Sequence, residues 1–269
     1  MNLRTIVERA SRGIVLKRRL PSAFGRAPLY VAPSIGGLRY WRRDIGKIDP
    51  TLLQAAERLV EPESKIWDIG ANLGLFTIAA AVRAGRQGYV LAVEPDAEAA
   101  SLLLRSRRAS DSRVTAPIDV LVAAVHDRNE DRFATLEVAV RARAANALRG
   151  FGSTQTGGIL DSRIVPAFRL DDMIEFFPSP TVLKIDVEGA EATVFRGASR
   201  LLEEIRPTLI IEVSIQNQRS VGQILAGVGY RVFDGGREDW PEVALPPWNT
   251  IAVPVEACAR VLYRCVNDR

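Results

Sequence analysis

Short apolar runs alternate with longer amphipathic stretches along most of the chain. Strand-like runs cover 65–69, 89–94 and 118–125, with helical patterns over 74–84 and 96–109 between them. The alternation is interrupted and then resumes with a strand over 181–186, a helix over 189–204, a strand over 208–213, a helix over 217–227, and strands over 230–233 and 250–253. This order predicts a doubly wound, mostly parallel α/β sheet with helices on both faces.

The interruption covers residues 127–169. Within it, residues 133–140 alternate like an edge strand, and residues 149–158 are rich in Gly, Ser and Thr. We interpret this part as an insertion or a long crossover between strands of the sheet.

The segment before the alternation differs from the rest of the chain in charge. Residues 1–47 hold eleven Lys and Arg against two Asp and Glu, whereas the remainder carries a net charge of −5 within a total of +4. Residues 1–20 have the apolar spacing of a short helix that Pro21 would stop, and residues 21–49 look irregular or weakly stranded. Such asymmetry indicates an acidic partner or surface for this segment.

A helix over about 49–60 follows the basic segment. Asp49 is a suitable N-cap for it, and Pro50 suits its first position. We therefore divide the chain into a basic N-terminal extension over 1–49, helical at its start, and a single α/β domain over 50–269.

Composition narrows the classes of protein further. The 269 residues are 47% hydrophobic, which is enough to cover both faces of one parallel sheet. No apolar run reaches membrane-spanning length, and no secretory signal is recognisable. Cys258 and Cys265 lack metal-site spacing, and His126 is the only histidine. We expect reduced thiols, no histidine-based metal centre and a cytoplasmic location.

A glycine-rich turn follows the first strand of the alternation. Asp68, Gly70, Asn72 and Gly74 have the spacing Asp-x-Gly-x-Asn-x-Gly between a predicted strand and a predicted helix, where open α/β sheets bind nucleotides. Glu94 ends the second strand, twenty residues after Gly74, and an acid there suits the hydroxyls of a ribose. The glycine-rich turn and Glu94 therefore support each other, because each lies at the position that the other predicts.

The composition of the turn bears on which nucleotide it binds. Dinucleotide sites favour Gly-x-Gly-x-x-Gly, whose backbone N–H groups cradle a pyrophosphate. Here Asn72 replaces the second glycine. The leading Asp68 is expected to end the strand with its carboxylate facing the crevice, where it would repel a phosphate but suits the ammonium of S-adenosylmethionine. The alternative is a tight strand-to-helix turn without a ligand.

The chain resembles the FkbM-type methyltransferases over roughly residues 50–253. The motifs that carry the resemblance are Trp67–Gly74, Val93–Pro95, Ala124–Asp127, Arg169–Met173, Leu183–Glu191, Arg206–Pro207 and Ile211–Glu212. The resemblance implies a class I methyltransferase fold, S-adenosylmethionine as methyl donor, and O-methylation of a hydroxyl on a sugar, glycan or natural product. It does not identify the acceptor.

Candidate catalytic groups follow the later strands of the sheet. Asp186 and Glu188 come after the strand that contains Lys184, and Glu212 ends the next strand, so their side chains are expected beside the cofactor crevice. One carboxylate would take the proton of the acceptor hydroxyl, and Asp186 is our first choice. Lys184 would offset the crowding of negative charge or orient the acceptor.

Two other interpretations of these carboxylates stay open. A Mg²⁺ ion held by Asp186, Glu188 and Glu212 suits oxygen ligands but is not expected. The acids could instead serve only as the first turn and cap of a helix. The candidate cofactor-binding residues are therefore Asp68, Gly70, Asn72, Gly74, Glu94 and Asp127.

Several further residues have a structural and a functional interpretation. His126 and Asp127 follow the third strand, where folds of this class hold the adenine, so Asp127 is a candidate contact for the adenine amino group and His126 is placed at its edge rather than in catalysis. Trp240, Trp248 and Asn249 either line an acceptor pocket, since aromatic faces stack on sugars, or serve in ordinary packing.

The basic segment and the overall activity also leave alternatives. Residues 1–20 could make weak contact with an anionic membrane surface, bind an acidic acceptor, cover the site, or pack as a solvated helix. No nucleic-acid motif supports a nucleic-acid partner. The rival functions are a nicotinamide-dependent oxidoreductase and a non-catalytic cofactor-binding module, and the oligomeric state is left open.

Overall fold

The computed structural model describes residue 11 and residues 13–128, 131–139, 146–151 and 158–259. Its main sheet has seven strands in the order β12-β13-β11-β10-β3-β4-β5. Their bounds are β3 Lys65–Ile69, β4 Tyr89–Val93, β5 Ile118–Leu121, β10 Val182–Ile185, β11 Thr208–Glu212, β12 Tyr230–Asp234 and β13 Asn249–Pro254. β13 runs antiparallel to β11 and β12, and the other four strand pairs of this sheet are parallel, which confirms the predicted doubly wound α/β class.

The strand order reverses between β3 and β10. From β3 the chain proceeds to β4 and β5 on one side, and β10 leads to β11 on the other. A crevice opens at such a switch point, outside the carboxyl ends of the strands. This part of the fold positions the candidate site.

Helices cover both faces of the sheet. They are α1 Pro33–Gly36, α2 Pro50–Leu59, α3 Leu75–Ala84, α4 Ala97–Ala109, α5 Leu170–Met173, α6 Glu191–Arg196 and α7 Gln218–Gly227. Side chains alternate across β3, so that Ile66 belongs to a core with α2, α3 and α4, whereas Trp67 and Ile69 belong to a core with α6 and α7. Both cores are apolar because every central strand is buried on two sides.

The start of α2 matches its prediction. The Asp49 carboxylate accepts a hydrogen bond from Leu52 N at 2.9 Å, and Pro50 is the first helical residue. Two other element boundaries were wrong. The predicted strand over 118–125 is divided into β5 and a separate β6 Ala124–Val125, and the predicted helix over 189–204 is divided by a turn at Gly197 into α6 and a π-helical turn Leu201–Ile205.

The basic segment forms a hairpin where it is described. The predicted helix over 1–20 is wrong at its end, because β1 Leu16–Arg19 pairs antiparallel with β2 Pro28–Val31. Backbone pairing and packing outweigh the local helical spacing: Leu29 and Val31 are buried in the core of α3 and α4, and Tyr30 N donates to Ser106 Oγ at 2.8 Å. Residues 1–10 of the predicted helix lie outside the described part of the chain.

The interruption folds as a second, four-stranded sheet in the order β6-β9-β7-β8. The predicted edge strand is β7 Phe133–Ala139, and it pairs antiparallel with β9 Ile159–Phe168, which the sequence pattern did not predict. β8 is Ala147–Leu148. The insertion therefore forms a sheet of its own within the connection from β5 to β10.

Two further findings concern membrane-spanning helices and the cysteines. Within the described ranges, no helix is both long and apolar enough to cross a membrane. Cys258 is a free, buried thiol, and Cys265 lies outside the described residues.

Candidate active site

A cavity of about 680 Å³ lies at the carboxyl ends of β3, β4 and β10. Three short segments form its floor, because each follows one of those strands: 69–70, 93–96 and 186–188. Ile35 of α1 and residues 123–125 close the sides. Leu136, Asn146 and Leu148 of the second sheet form the wall above.

The glycine-rich turn fits closely under this cavity. Gly70 has a φ of +74°, and a Cβ atom there would lie 1.8 Å from the backbone oxygen of Asp186. Gly70 N and Ala71 N both donate to Val93 O, at 2.9 and 3.1 Å. Only glycine allows β3 and β10 to approach this closely.

The other two positions of the turn also have left-handed backbones. Asn72 has a φ of +50°, which asparagine tolerates better than most residues. A Cβ atom on Gly74 would lie 2.2 Å from Leu103 Cδ1, so Gly74 permits the close packing between α3 and α4. Gly70 and Asn72 line the cavity, whereas Gly74 acts behind it.

Glu94 is held at the end of β4 by two backbone donors. Its Oε2 accepts from Asn72 N at 2.7 Å and its Oε1 from Asp96 N at 2.8 Å. The residue is only 7% exposed yet lines the cavity. Burial raises the pKa of Glu94 to about 7, although both hydrogen bonds act against that rise. Each carboxylate oxygen keeps a lone pair for a ligand.

Asp68 and Lys184 form a buried pair beneath the turn. β3 and β10 pair these two residues in register, and Lys184 Nζ lies 3.1 Å from Asp68 Oδ1, an ion pair without hydrogen-bond alignment. Thr77 Oγ1 donates to Asp68 Oδ2 at 2.5 Å. Asp68 is fully buried and does not line the cavity. The expectation that its carboxylate faces the crevice is therefore wrong.

Lys184 fastens the turn to the strand end. Its ammonium donates to Gly70 O at 2.6 Å and lies 3.5 Å from Asp186 Oδ2. Burial alone would lower the pKa of Lys184, but the carboxylates of Asp68 and Asp186 outweigh it and raise that pKa above its usual value. Lys184 is thus a fixed cation that holds Gly70 and Asp186 together.

The three candidate catalytic carboxylates are brought to one edge. Asp186 and Glu188 line the cavity, and Glu212 follows in register on the neighbouring strand β11. Burial raises the pKa of all three, to about 7 for Glu188 and about 8 for Glu212, and the Asp186 charge raises the latter two further. Lys184 works against the rise at Asp186.

A second, smaller cavity lies at the carboxyl ends of β10 and β11. Lys184 and Ile185 line it, whereas Asp186 lines the first cavity, so the end of this strand separates the two. Glu212, Asn249 and Thr51 supply its polar groups. Among the described residues, no group of three or more His, Cys, Asp and Glu is arranged to hold a metal ion.

Residues 68–232 match the family described as Methyltransferase FkbM domain, which is more than half of the chain. The chain belongs to the FkbM methyltransferase family. The match begins at Asp68 and spans every cavity segment from β3 to β11. None of the curated proteins compared with the chain matches it.

Three solved structures that are similar to this FkbM domain are distant from it in sequence. The methyltransferase FkbM from Methylobacillus flagellatus is 17% identical with a TM-score of 0.45, and the match covers 79% of this chain and 60% of that one. An S-adenosylmethionine-dependent O-methyltransferase from Thermotoga maritima is 13% identical, with coverages of 85% and 74% and a TM-score of 0.43. Fibrillarin from Aeropyrum pernix, solved with bound S-adenosylmethionine, is 15% identical, with coverages of 77% and 74% and a TM-score of 0.45.

Two candidate residues of the FkbM domain lie away from the cavity. Asp127 Oδ2 accepts from Arg196 Nε at 2.8 Å, and the residue is not among those that line either cavity, so its predicted contact with adenine has no support in the geometry. His126 is buried and holds a turn: Nδ1 accepts from Arg128 N, and Nε2 lies 2.7 Å from Asp131 O. Ala123 and Val125, which precede these two residues in the chain, line the cavity instead.

The three residues predicted to line an acceptor pocket lie in three different environments. Trp240 is buried in the core, and the Arg58 guanidinium lies 5.0 Å from the centroid of its indole ring. Trp248 is 53% exposed. Asn249 lines the second cavity. The acceptor hypothesis therefore fails for Trp240 and stays open for the other two.

Several site residues were missed in the sequence. Asp96 caps α4 through Glu98 N and also accepts from Asn146 Nδ2 at 2.8 Å, which fixes the second sheet over the cavity. Glu191 is buried and accepts from Gly189 N, Ser214 Oγ and Asn217 Nδ2, which holds the loop that carries Glu188. An N-cap signal at Asp96 was available, but its contact with Asn146 joins residues fifty positions apart.

Proposed function

We propose that this FkbM domain is an S-adenosylmethionine-dependent O-methyltransferase that acts on a hydroxyl of a sugar, glycan or natural product. The observation that carries the proposal is the charge of the larger cavity. Glu94, Asp96, Asp186 and Glu188 line it, and no Lys, Arg or His of the described chain does. Such a cavity attracts a cationic sulfonium and ammonium and repels the pyrophosphate of a dinucleotide.

The side chains that line the larger cavity also fit the neutral parts of S-adenosylmethionine. Glu94 offers two oxygens at the end of β4, the position suited to ribose hydroxyls. Ala123, Val125, Leu136 and Leu148 offer an apolar slot that suits the flat faces of an adenine. We assign the nucleoside to this end of the cavity and the amino-acid part to the end near Gly70.

The methyl acceptor belongs beside Asp186. When bound, S-adenosylmethionine supplies an activated methyl group, and the new O–CH₃ bond forms as the S–CH₃ bond breaks. An alcohol is a poor nucleophile until it loses its proton. The Asp186 carboxylate lines the larger cavity and takes that proton, and burial favours its protonated form. Lys184 keeps this carboxylate in place from 3.5 Å.

Calorimetric titration tests the cofactor directly. We expect saturable one-to-one binding of S-adenosylmethionine and S-adenosylhomocysteine and no binding of NAD⁺. Glu94→Gln should weaken binding about tenfold, because a charged hydrogen-bond acceptor contributes roughly 1.5 to 3 kcal/mol. Glu203→Gln is the matched control, since Glu203 is exposed on the π-helical turn and lines neither cavity.

The outcomes separate the rival functions. Binding of NAD⁺ without S-adenosylmethionine, in folded protein, would overturn the proposal in favour of an oxidoreductase. Equal affinities for wild type and Glu94→Gln would remove the assigned ribose site. Binding of S-adenosylmethionine without transfer to any hydroxyl compound tested would favour a non-catalytic module.

A further inference from the structure

Residues 13–47, the described stretch of the basic segment, present cations that lack acidic partners. The stretch holds eight Lys and Arg against one acid, Asp44. All the cations except Arg18 are exposed, and the eight are Lys17, Arg18, Arg19, Arg26, Arg39, Arg42, Arg43 and Lys47. Of the ion pairs formed between described residues, only that of Lys47 with Asp44 involves any of the eight. An anion can therefore bind here with almost no internal ion pair to break.

One side chain joins the two halves of this basic surface. Arg18 Nε donates to Arg42 O at 2.9 Å, and Arg18 Nη2 donates to Trp41 O at 3.1 Å. These bonds hold β1 against the 3₁₀ turn Leu38–Trp41 and the arginines that follow it. Cations that are far apart in sequence are thus brought together on one side of the molecule.

The cations are spread over a surface rather than gathered in a pocket. They extend from Arg26, at the turn of the hairpin, to Lys47, shortly before α2. None of the eight is among the residues that line the two cavities. Many separate cations match a plane of many phosphates better than they match one bound anion.

The aromatic residues of residues 13–47 favour a lipid surface over single-stranded nucleic acid. Two of the four are buried, and the Tyr30 ring is occupied by Lys17 at 5.8 Å and Arg105 at 4.2 Å from its centroid. The fourth, Trp41, is 42% exposed, and Val15 adds an apolar side chain that is 40% exposed. Nucleic-acid strands stack their bases on several rings in succession. A single tryptophan among cations instead suits the headgroup level of a membrane.

The charge of the remainder gives the molecule one preferred orientation on such a membrane. The 25 Lys and Arg and 30 Asp and Glu after residue 47 sum to −5, so that part of the chain is repelled by negative charge. Ile35 belongs to residues 13–47 and also lines the larger cavity. One side of that cavity is therefore built by the same stretch that carries the cations.

We infer that residues 13–47 form a docking surface for an anionic membrane, with lipid phosphates on Arg42, Arg43 and the cations of the hairpin and with Trp41 at the level of the headgroups. The inference goes beyond the proposed function and does not depend on the methyl donor.

Vesicle co-sedimentation with the full-length protein tests the docking surface. The probes are vesicles of phosphatidylcholine alone and vesicles in which phosphatidylglycerol replaces one third of it. We expect binding to the anionic vesicles only, and its loss at high salt. Arg42→Glu/Arg43→Glu should weaken binding more than tenfold, because each basic residue near an anionic surface contributes about fivefold in affinity. Trp41→Ala should weaken it about threefold.

Lys65→Glu/Arg219→Glu is the matched control. It changes the net charge by the same amount at two exposed residues, at the start of β3 and on α7, outside residues 13–47. It should bind the anionic vesicles within about twofold of wild type, and calorimetry with S-adenosylhomocysteine checks that each variant is folded.

Three results would overturn the docking surface: no binding to anionic vesicles, equal binding to neutral ones, or equal losses in the two double variants. Tighter binding to a uridine homopolymer than to the vesicles, at equal phosphate concentration, would replace the membrane with a nucleic acid as the partner. Failure of wild type to bind S-adenosylhomocysteine while it still binds the vesicles would overturn the proposed function alone.

Discussion

At the scale of single residues, the site depends on contacts between strand ends that tolerate no extra atom. Gly70 is the clearest case, since its α-carbon lies against the backbone of Asp186 rather than against a movable side chain. Lys184 adds a second link by bonding to Gly70 O. The glycine turn therefore has its shape set by β10 as much as by its own sequence.

We predict that Gly70→Ala destabilises the protein by roughly 2 to 4 kcal/mol, through overpacking and a left-handed backbone together. The change in the urea midpoint measures it. Gly25→Ala is the matched control, because Gly25 also has a left-handed backbone but a Cβ there meets nothing closer than 3.9 Å. The control should cost about 1 kcal/mol, and equal losses in the two variants would contradict the steric argument.

The residues also show where sequence reasoning succeeds. Gly70, Asn72 and Glu94 were placed at the cavity because a strand followed by a turn is a local pattern. Asp68 was misjudged because its environment depends on which strand pairs with β3. Lys184 stands opposite it only through that pairing, 116 positions away in the chain, and no local spacing reports such a contact.

At the scale of elements, the second sheet determines how closed the cofactor cavity is. Asn146 joins this sheet to α4 by donating to Asp96, and its Oδ1 accepts from Ala139 N at 3.0 Å. Arg163 adds contacts to Asp96 and Glu98. The wall of the cavity is thus attached to Asp96, the N-cap of α4, which lies two residues after Glu94.

We predict that Asn146→Ala weakens S-adenosylhomocysteine binding about tenfold and lowers stability by roughly 1 to 2 kcal/mol, because a hydrogen bond to a buried carboxylate is lost. Calorimetry and urea unfolding measure the two effects. Arg149→Ala, which removes an exposed pair with Glu137 on the same sheet, should change both by less than the error of measurement. An unchanged affinity in Asn146→Ala would mean that the second sheet does not close the cofactor site.

The elements of the main sheet were predictable and those of the insertion were not. Strands buried on both faces leave continuous apolar runs, which the sequence displays from β3 to β13. β9 lacks that signal, because Ile164 and Pro166 are exposed while Val165 and Ala167 pack inward. The hairpin of β1 and β2 was missed for a related reason, since its stability comes from packing on α4.

At the scale of the whole molecule, the site gathers carboxylates at a cost in stability. Burial raises the pKa of Glu94 and Glu188 to about 7 and of Glu212 to about 8. The folded state therefore binds more protons than the unfolded state above about pH 4.5. Stability falls as pH rises through this window and levels off above the folded-state pKa values.

We predict that the urea midpoint of the protein falls between pH 5 and pH 8. In Glu94→Gln, the free energy of unfolding lost over this pH range should be smaller by roughly 1 to 3 kcal/mol, since each pKa unit corresponds to about 1.4 kcal/mol. The exposed Glu203→Gln variant should keep the wild-type slope. A midpoint that rises over this range, or an identical slope in Glu94→Gln, would contradict the assignment of buried, proton-binding carboxylates.

The antiparallel strand β13 has a consequence for synthesis on the ribosome. It lies between β11 and β12, although it follows both in the chain. While translation has not passed Pro254, β11 keeps one edge unpaired and β12 has no neighbour in the sheet. The nascent chain thus displays an open sheet edge, the feature that invites pairing with other chains, until β13 has been synthesised. The wall of the second cavity that carries Asn249 also forms only with β13.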